Sequence, residues 1–223
     1  AYQSCYPLVY ACLRMLQAKR LEAWAPLRTE VVVRNVEKCA KTFFTDAQKK
    51  LRTKTGQRYR RFLGGLTCQG FYFLDKTPTV LCKSGYVLQG ENGLAPLLLE
   101  NLENGFLAAG YTVVSCPDPI QPKLLAHLLV PELELAFVTG AVTSGLGYQT
   151  IHTESLTEKN VWQENRAKLR EMLHLAEKEQ QKAIDYLKEA KACHDTLEEL
   201  YHPYVDFQYT DQVTENVLEE ILA

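Results

Sequence analysis

Gly90-Glu91-Asn92-Gly93-Leu94-Ala95-Pro96-Leu97 stands between a short apolar run, Tyr86-Val87-Leu88, and a leucine-rich stretch from Leu97 to Ala109. A glycine loop between a strand and a helix can hold phosphates, because successive backbone N–H groups and the positive end of the helix point at the anion. The complete device has the frame G-x-x-x-x-G-K-[ST], in which the lysine reaches the β and γ phosphates and the hydroxyl holds Mg²⁺. With Gly90 as the first glycine, Ala95 stands at the second, Pro96 at the lysine and Leu97 at the hydroxyl. Pro96 removes a charge and a backbone donor together, since proline has no N–H. Leu97 removes the metal ligand, Ala95 adds a Cβ where the backbone must bend, and Glu91 puts a carboxylate beside the phosphate position. A hydrogen bond to a charged group is worth roughly 1.5–3 kcal/mol, so losing several at once removes most of the expected affinity. Proline is well tolerated in a first helical turn, so the strand–turn–helix layout survives these changes. The same two glycines, Gly90 and Gly93, also fit a plain tight turn from strand to helix.

Other reactive residues offer less. Cys5, Cys12, Cys39, Cys68, Cys82, Cys116 and Cys193 are odd in number and widely spaced, with no C-x-x-C. That pattern predicts free thiols in a reducing cytoplasm rather than a disulfide frame or a zinc site. His194 and His202 lack zinc-site spacing, so no metal is expected. Cys193 and His194 are neighbours on a helix-like stretch, where adjacent side chains diverge and make no dyad. The basic tract from Lys49 to Arg61 could grip phosphates or RNA, but with only Tyr59 and Phe62 interleaved it reads better as a solvated linker. Net charge is -2 over 223 residues, which excludes a chain that binds polyanions with its whole surface. No run approaches the roughly 20 apolar residues that span a bilayer.

The elements that must position the loop fall into three regions. Residues 1–62 read as a helical arm ending in the basic linker, with the valine cluster Val31-Val32-Val33 and Val36 open to either helix or strand. From residue 63 the chain alternates: strands at Phe71–Leu74 and Tyr86–Leu88, a helix from Leu97 closed by Gly110, a strand at Tyr111–Val114, a short helix at Leu124–Leu129 and a strand at Leu133–Val138. Such alternation predicts an α/β fold with a parallel sheet. Residues 155–201 contain neither Gly nor Pro. Ser155-Leu156-Thr157-Glu158 fits a capping box that starts a long helix or helical hairpin. Its apolar positions Trp162, Leu169, Leu173, Ile184 and Leu187 are expected to pack on the sheet. His202-Pro203 ends this stretch, and a last helix runs from about Thr210 to Leu222, completing a helical extension over 155–222.

The chain also echoes itself. Displaced by 181 positions, residues 1–42 place Ala11-Cys12 on Ala192-Cys193, Leu16 on Leu197, Thr29 on Thr210, Val32 on Val213 and Asn35-Val36 on Asn216-Val217. This predicts that the N-terminal arm is the tail of a preceding copy of the same domain.

Arg58-Tyr59-Arg60-Arg61-Phe62, Gly64 to Phe71, Tyr86 to Gly93, Val130-Pro131-Glu132-Leu133 and Phe137-Val138-Thr139-Gly140 together resemble an uncharacterised, Firmicutes-type bacterial family of P-loop ATPase-like and nucleotide-kinase-like proteins. The likeness runs from about Arg58 to the C-terminus. It implies tandem P-loop NTPase-like domains, with residues 63–223 as one of them. It also implies an acidic Mg²⁺ partner at the end of the strand after Pro131-Glu132-Leu133, where this chain has Thr139. A hydroxyl does not replace a carboxylate's charge on a hard cation.

The expected function is therefore a degenerate P-loop NTPase-like domain without hydrolysis, acting as a scaffold or as a regulatory and interaction module. Its vestigial loop is Gly90 to Leu97 and its vestigial acidic position is Thr139, and no residue is assigned a catalytic role. No cofactor is expected. The partner is a protein or an upstream domain of the same polypeptide, with no membrane and no nucleic acid. The alternative is an ATP- and Mg²⁺-binding ATPase or small-molecule kinase with phosphate contacts from Lys83 or the basic tract.

Overall fold

The computed structural model describes residues 2–48, 55–140 and 147–222. The basic residues Lys49 to Lys54 lie outside them.

The N-terminal arm is two helices, α1 (Tyr2–Trp24) and α2 (Glu30–Gln48), separated by a tight turn at Ala25–Leu27 containing Pro26. The valine cluster is helical because Val32, Val36 and Ala40 fall on one face, at i, i+4 and i+8, and are fully buried there. Their partner is α4 (Leu94–Ala108), which presents Leu98, Leu102 and Phe106 to the same cluster.

Among the described residues eight strands follow: β1 (Arg58–Arg60), β2 (Gly64–Thr67), β3 (Gly70–Phe73), β4 (Ser84–Gln89), β5 (Val113–Pro117), β6 (Leu125–Val130), β7 (Leu135–Thr139) and β8 (Gln149–His152). Six of them form one sheet in the order β1-β5-β6-β7-β4-β8, and β2 and β3 form a separate antiparallel hairpin. The short helix α3 (Lys76–Leu81) leads from the hairpin into β4.

Two expectations are corrected here. Leu124–Leu129 is not a helix; it is β6, antiparallel to both β5 and β7, so the sheet is mostly rather than wholly parallel. A short apolar run carries no period that separates a buried strand from a buried helix. Both faces of β6 are covered: Leu128 and Val130 belong to the cluster under α4, and Leu129 to the cluster on the opposite face with Phe73 and Cys82. Part of the expected basic linker also lies in the sheet. Arg58–Arg60 is no linker but an edge strand, paired in register with Val113–Ser115.

The helix after the loop ends as the sequence suggests. Gly110 takes a left-handed φ of 85°. Its N–H donates to the Leu107 carbonyl at 3.0 Å and the Tyr111 N–H to the Phe106 carbonyl at 3.0 Å. These are the paired bonds of a Schellman stop, and the Phe106 and Tyr111 rings meet edge-on across it.

α5 (Lys159–Tyr201) is a single helix of 43 residues, about 65 Å long. The capping box does not form: Ser155 Oγ donates to the His152 carbonyl at 2.7 Å, within a one-turn helix at Thr153–Leu156. Nor does α5 lie on the sheet. Trp162, Leu169 and Leu173 pack with Ala23, Trp24 and Leu27, and Leu187 with Val9 and Cys12, so its main partner is α1. A second Pro-containing turn at His202–Tyr204 leads to α6 (Phe207–Leu222). No helix among the described residues is long and apolar enough to cross a membrane.

Candidate functional site

The loop leaves β4 at its C-terminal end, the end of a mostly parallel sheet where ligands of α/β folds gather. Gly90 has φ 147° and Gly93 φ 68°, and Gly93 stands directly before α4. Both glycines are required by their neighbours as well as by their backbone. A Cβ on Gly90 would lie 2.1 Å from Thr153 Oγ1, and one on Gly93 would lie 2.3 Å from the Trp24 ring.

Between them, Asn92 is completely buried. Its Oδ1 accepts from the Leu94 N–H at 3.3 Å, and its Nδ2 donates to Thr157 Oγ1 at 3.1 Å. The Thr153 hydroxyl lies 2.8 Å from Asn92 Oδ1 and 3.2 Å from the Gln89 carbonyl, and donates to one or the other. The first helical N–H, which would face a phosphate, is thus bound by the loop's own asparagine. From the other side, Trp24 Nε1 donates to the Glu91 carbonyl at 2.9 Å while its ring lies on Gly93. The loop is clamped between the end of α1 and the segment 153–157.

Leu94 and Ala95 are buried under this clamp, and Pro96 sits in the first turn of α4. Leu97 is half-buried; it packs against the main core and lines a small cavity of about 240 Å³ on the β1 side of α4. Thr139 ends β7 in register with Leu88 of β4, so Thr139 and the loop after β4 lie at one end of the sheet. Gly90, Gly93, Pro96 and Thr139 share the wall of a larger cavity of about 650 Å³ that opens toward Arg166 and Arg170 of α5.

The backbone N–H of Thr139 donates to His127 Nδ1 at 3.2 Å. His127 is buried on β6, and desolvation pushes its pKa down to about 4 against a weaker opposing pull from Asp118. The imidazole is therefore neutral, and this hydrogen bond requires it to be so.

The donors proposed from sequence are displaced. Lys83 sits before β4 at its N-terminal end, ion-paired with Glu134. The six residues of β4 hold it roughly 20 Å from the loop. Within the basic tract, Arg58 pairs with the buried Glu103 at 2.9 Å, and Glu103 also receives the Ser115 hydroxyl. These groups line the smaller cavity, away from Thr139. His194, Asp195 and Glu198 cluster on the surface of α5, where Lys191 engages both oxygens of Asp195 at 2.7 Å.

Sequence reasoning missed Trp24, Thr153, Thr157 and Asn92 as the clamp. Asn92 alone gave a signal, as a side-chain acceptor two residues before a helical N–H. The others reach the loop only through tertiary packing. Compared with known protein families, curated proteins and solved structures, the chain matches none.

Proposed function

We propose that this chain is a degenerate P-loop NTPase-like domain that serves as a scaffold or interaction module and does not hydrolyse ATP. The observation that carries the reading is the clamp. Asn92 takes the first N–H of α4, and Trp24 lies on Gly93 and ties down the Glu91 carbonyl. A phosphate cradle must keep such groups open to an anion. The residue types agree, because Pro96 offers neither charge nor N–H, and Thr139 offers no carboxylate to Mg²⁺.

A second reading, an ATP-binding enzyme with unusual phosphate contacts, draws on the larger cavity. Arg166 and Arg170 stand at its wall, exposed and without an acidic partner among the described residues. Calorimetric titration with ATP and Mg²⁺ separates the two. The scaffold reading expects no heat of binding at micromolar protein, and saturable micromolar binding would falsify it.

A further inference from the structure

The two ends of the chain are built alike. α1 breaks at a Pro-containing turn, Ala25–Leu27, and α5 breaks at another, His202–Tyr204. After each, a side-chain acceptor caps the next helix three residues on: the Val32 N–H donates to Thr29 Oγ1 at 3.2 Å and the Tyr209 N–H to Asp206 Oδ1 at 3.0 Å. The helix that follows then presents a stripe at i, i+4 and i+8. In α2 this is Val32, Val36 and Ala40, 0%, 0% and 1% exposed against α4. In α6 it is Val213, Val217 and Ile221, 42%, 47% and 73% exposed, and no residue of α6 is buried. Thr29, Val32, Asn35 and Val36 recur as Thr210, Val213, Asn216 and Val217. In α2 the Asn35 side chain donates to the Leu156 carbonyl at 3.1 Å, so this identity already has work in the covered copy, whereas the capping work of Thr29 falls to Asp206 in α6 and not to Thr210. The stripe of α6 lies about one helical turn further from its break than that of α2, which keeps it on the same face.

The exposed apolar surface continues back along α5 through Leu197, Leu200 and Tyr201. These residues lie beyond the part of α5 that α1 covers, and in the displacement by 181 positions Leu197 corresponds to Leu16 of α1, which is fully buried with Ala176 of α5 and Ile120. Residues 205–223 contain no Lys or Arg, which argues against an anionic membrane surface as the cover.

We propose that the end of α5 and α6 form an arm that docks on a second α/β unit of this fold, one whose leucine-rich helix has no α2 of its own over it, with α6 lying on that helix as α2 lies on α4. This deepens the scaffold reading by naming its partner, and the nucleotide titration stands apart from it. Replacing residues 29–42 by residues 210–223 tests whether the stripe fits such a surface. The expected chimera, or a version that retains Ala40, unfolds cooperatively with a midpoint within about 5 °C of the parent. A control carrying residues 178–191 in the same place is expected to lose the transition. Loss of the transition in both chimeras overturns the proposal, and so does a control as stable as they are. In the parent chain Val217→Asp is expected to leave the midpoint unchanged; a clear fall would mean that the stripe packs within this unit, which also overturns it.

Discussion

Asn92 shows how much one uncharged side chain can settle. It is sealed from solvent, and its amide is satisfied by Leu94, Thr153 and Thr157. Asn92→Ala leaves the buried Thr157 hydroxyl and the Leu94 N–H short of a partner, and is expected to cost about 2–3 kcal/mol in urea unfolding. His127 makes a second prediction. Its pKa is about 4 in the fold against an ordinary 6.5, so the unfolded chain binds the extra proton between those values. The stability this contributes is complete above pH 6.5 and is lost as pH falls toward 4, about 3 kcal/mol in all. A pH series of unfolding midpoints should show that slope, and His127→Gln, which has no such titration, should flatten it.

At the scale of elements, the loop is a junction of three parts: the end of α1, the start of α4 and the segment 153–157. Gly93→Ala adds a left-handed strain at φ 68° to a clash with the Trp24 ring. It is expected to lower stability by about 1–3 kcal/mol. Trp24→Ala removes the obstacle, so the double variant should be less unstable than the two single losses added together, a coupling that a double-mutant cycle measures directly. Simple additivity would mean that the indole does not press on the loop. The helices themselves were partly legible: Gly110 ended α4 and Pro203 ended α5, whereas the valine cluster of α2 fitted a strand as well until its burial against α4 decided for a helix. The strand β6 was not legible, because a short run that is apolar but for His127 carries no period that tells a buried strand from a buried helix.

For the whole molecule, the proposed scaffold is a strand–turn–helix layout without the chemistry of a phosphate site. Introducing Ala95→Gly, Pro96→Lys and Leu97→Thr together is expected not to create ATP binding by itself, since Trp24 and Asn92 still close the loop. Adding Trp24→Ala to that triple variant is expected to open the way to measurable binding by calorimetry. Binding by the triple variant alone would show that the clamp yields to the nucleotide.

The sequence by itself determined the strand, glycine turn and helix of β4 and α4, and the absence of lysine, hydroxyl and carboxylate at three positions. These follow from local periodicity, backbone freedom and residue chemistry, which are properties of neighbours in the chain. Only the tertiary structure decided that Leu125–Val130 is an antiparallel strand, that Arg58–Arg60 belongs to the sheet, and that α5 packs on α1. It alone brought Trp24, Thr153 and Thr157 onto the loop from 67 residues before Glu91 and more than 60 after Asn92. Burial on both faces and contacts at such separations depend on what the rest of the chain covers, and no local pattern records that.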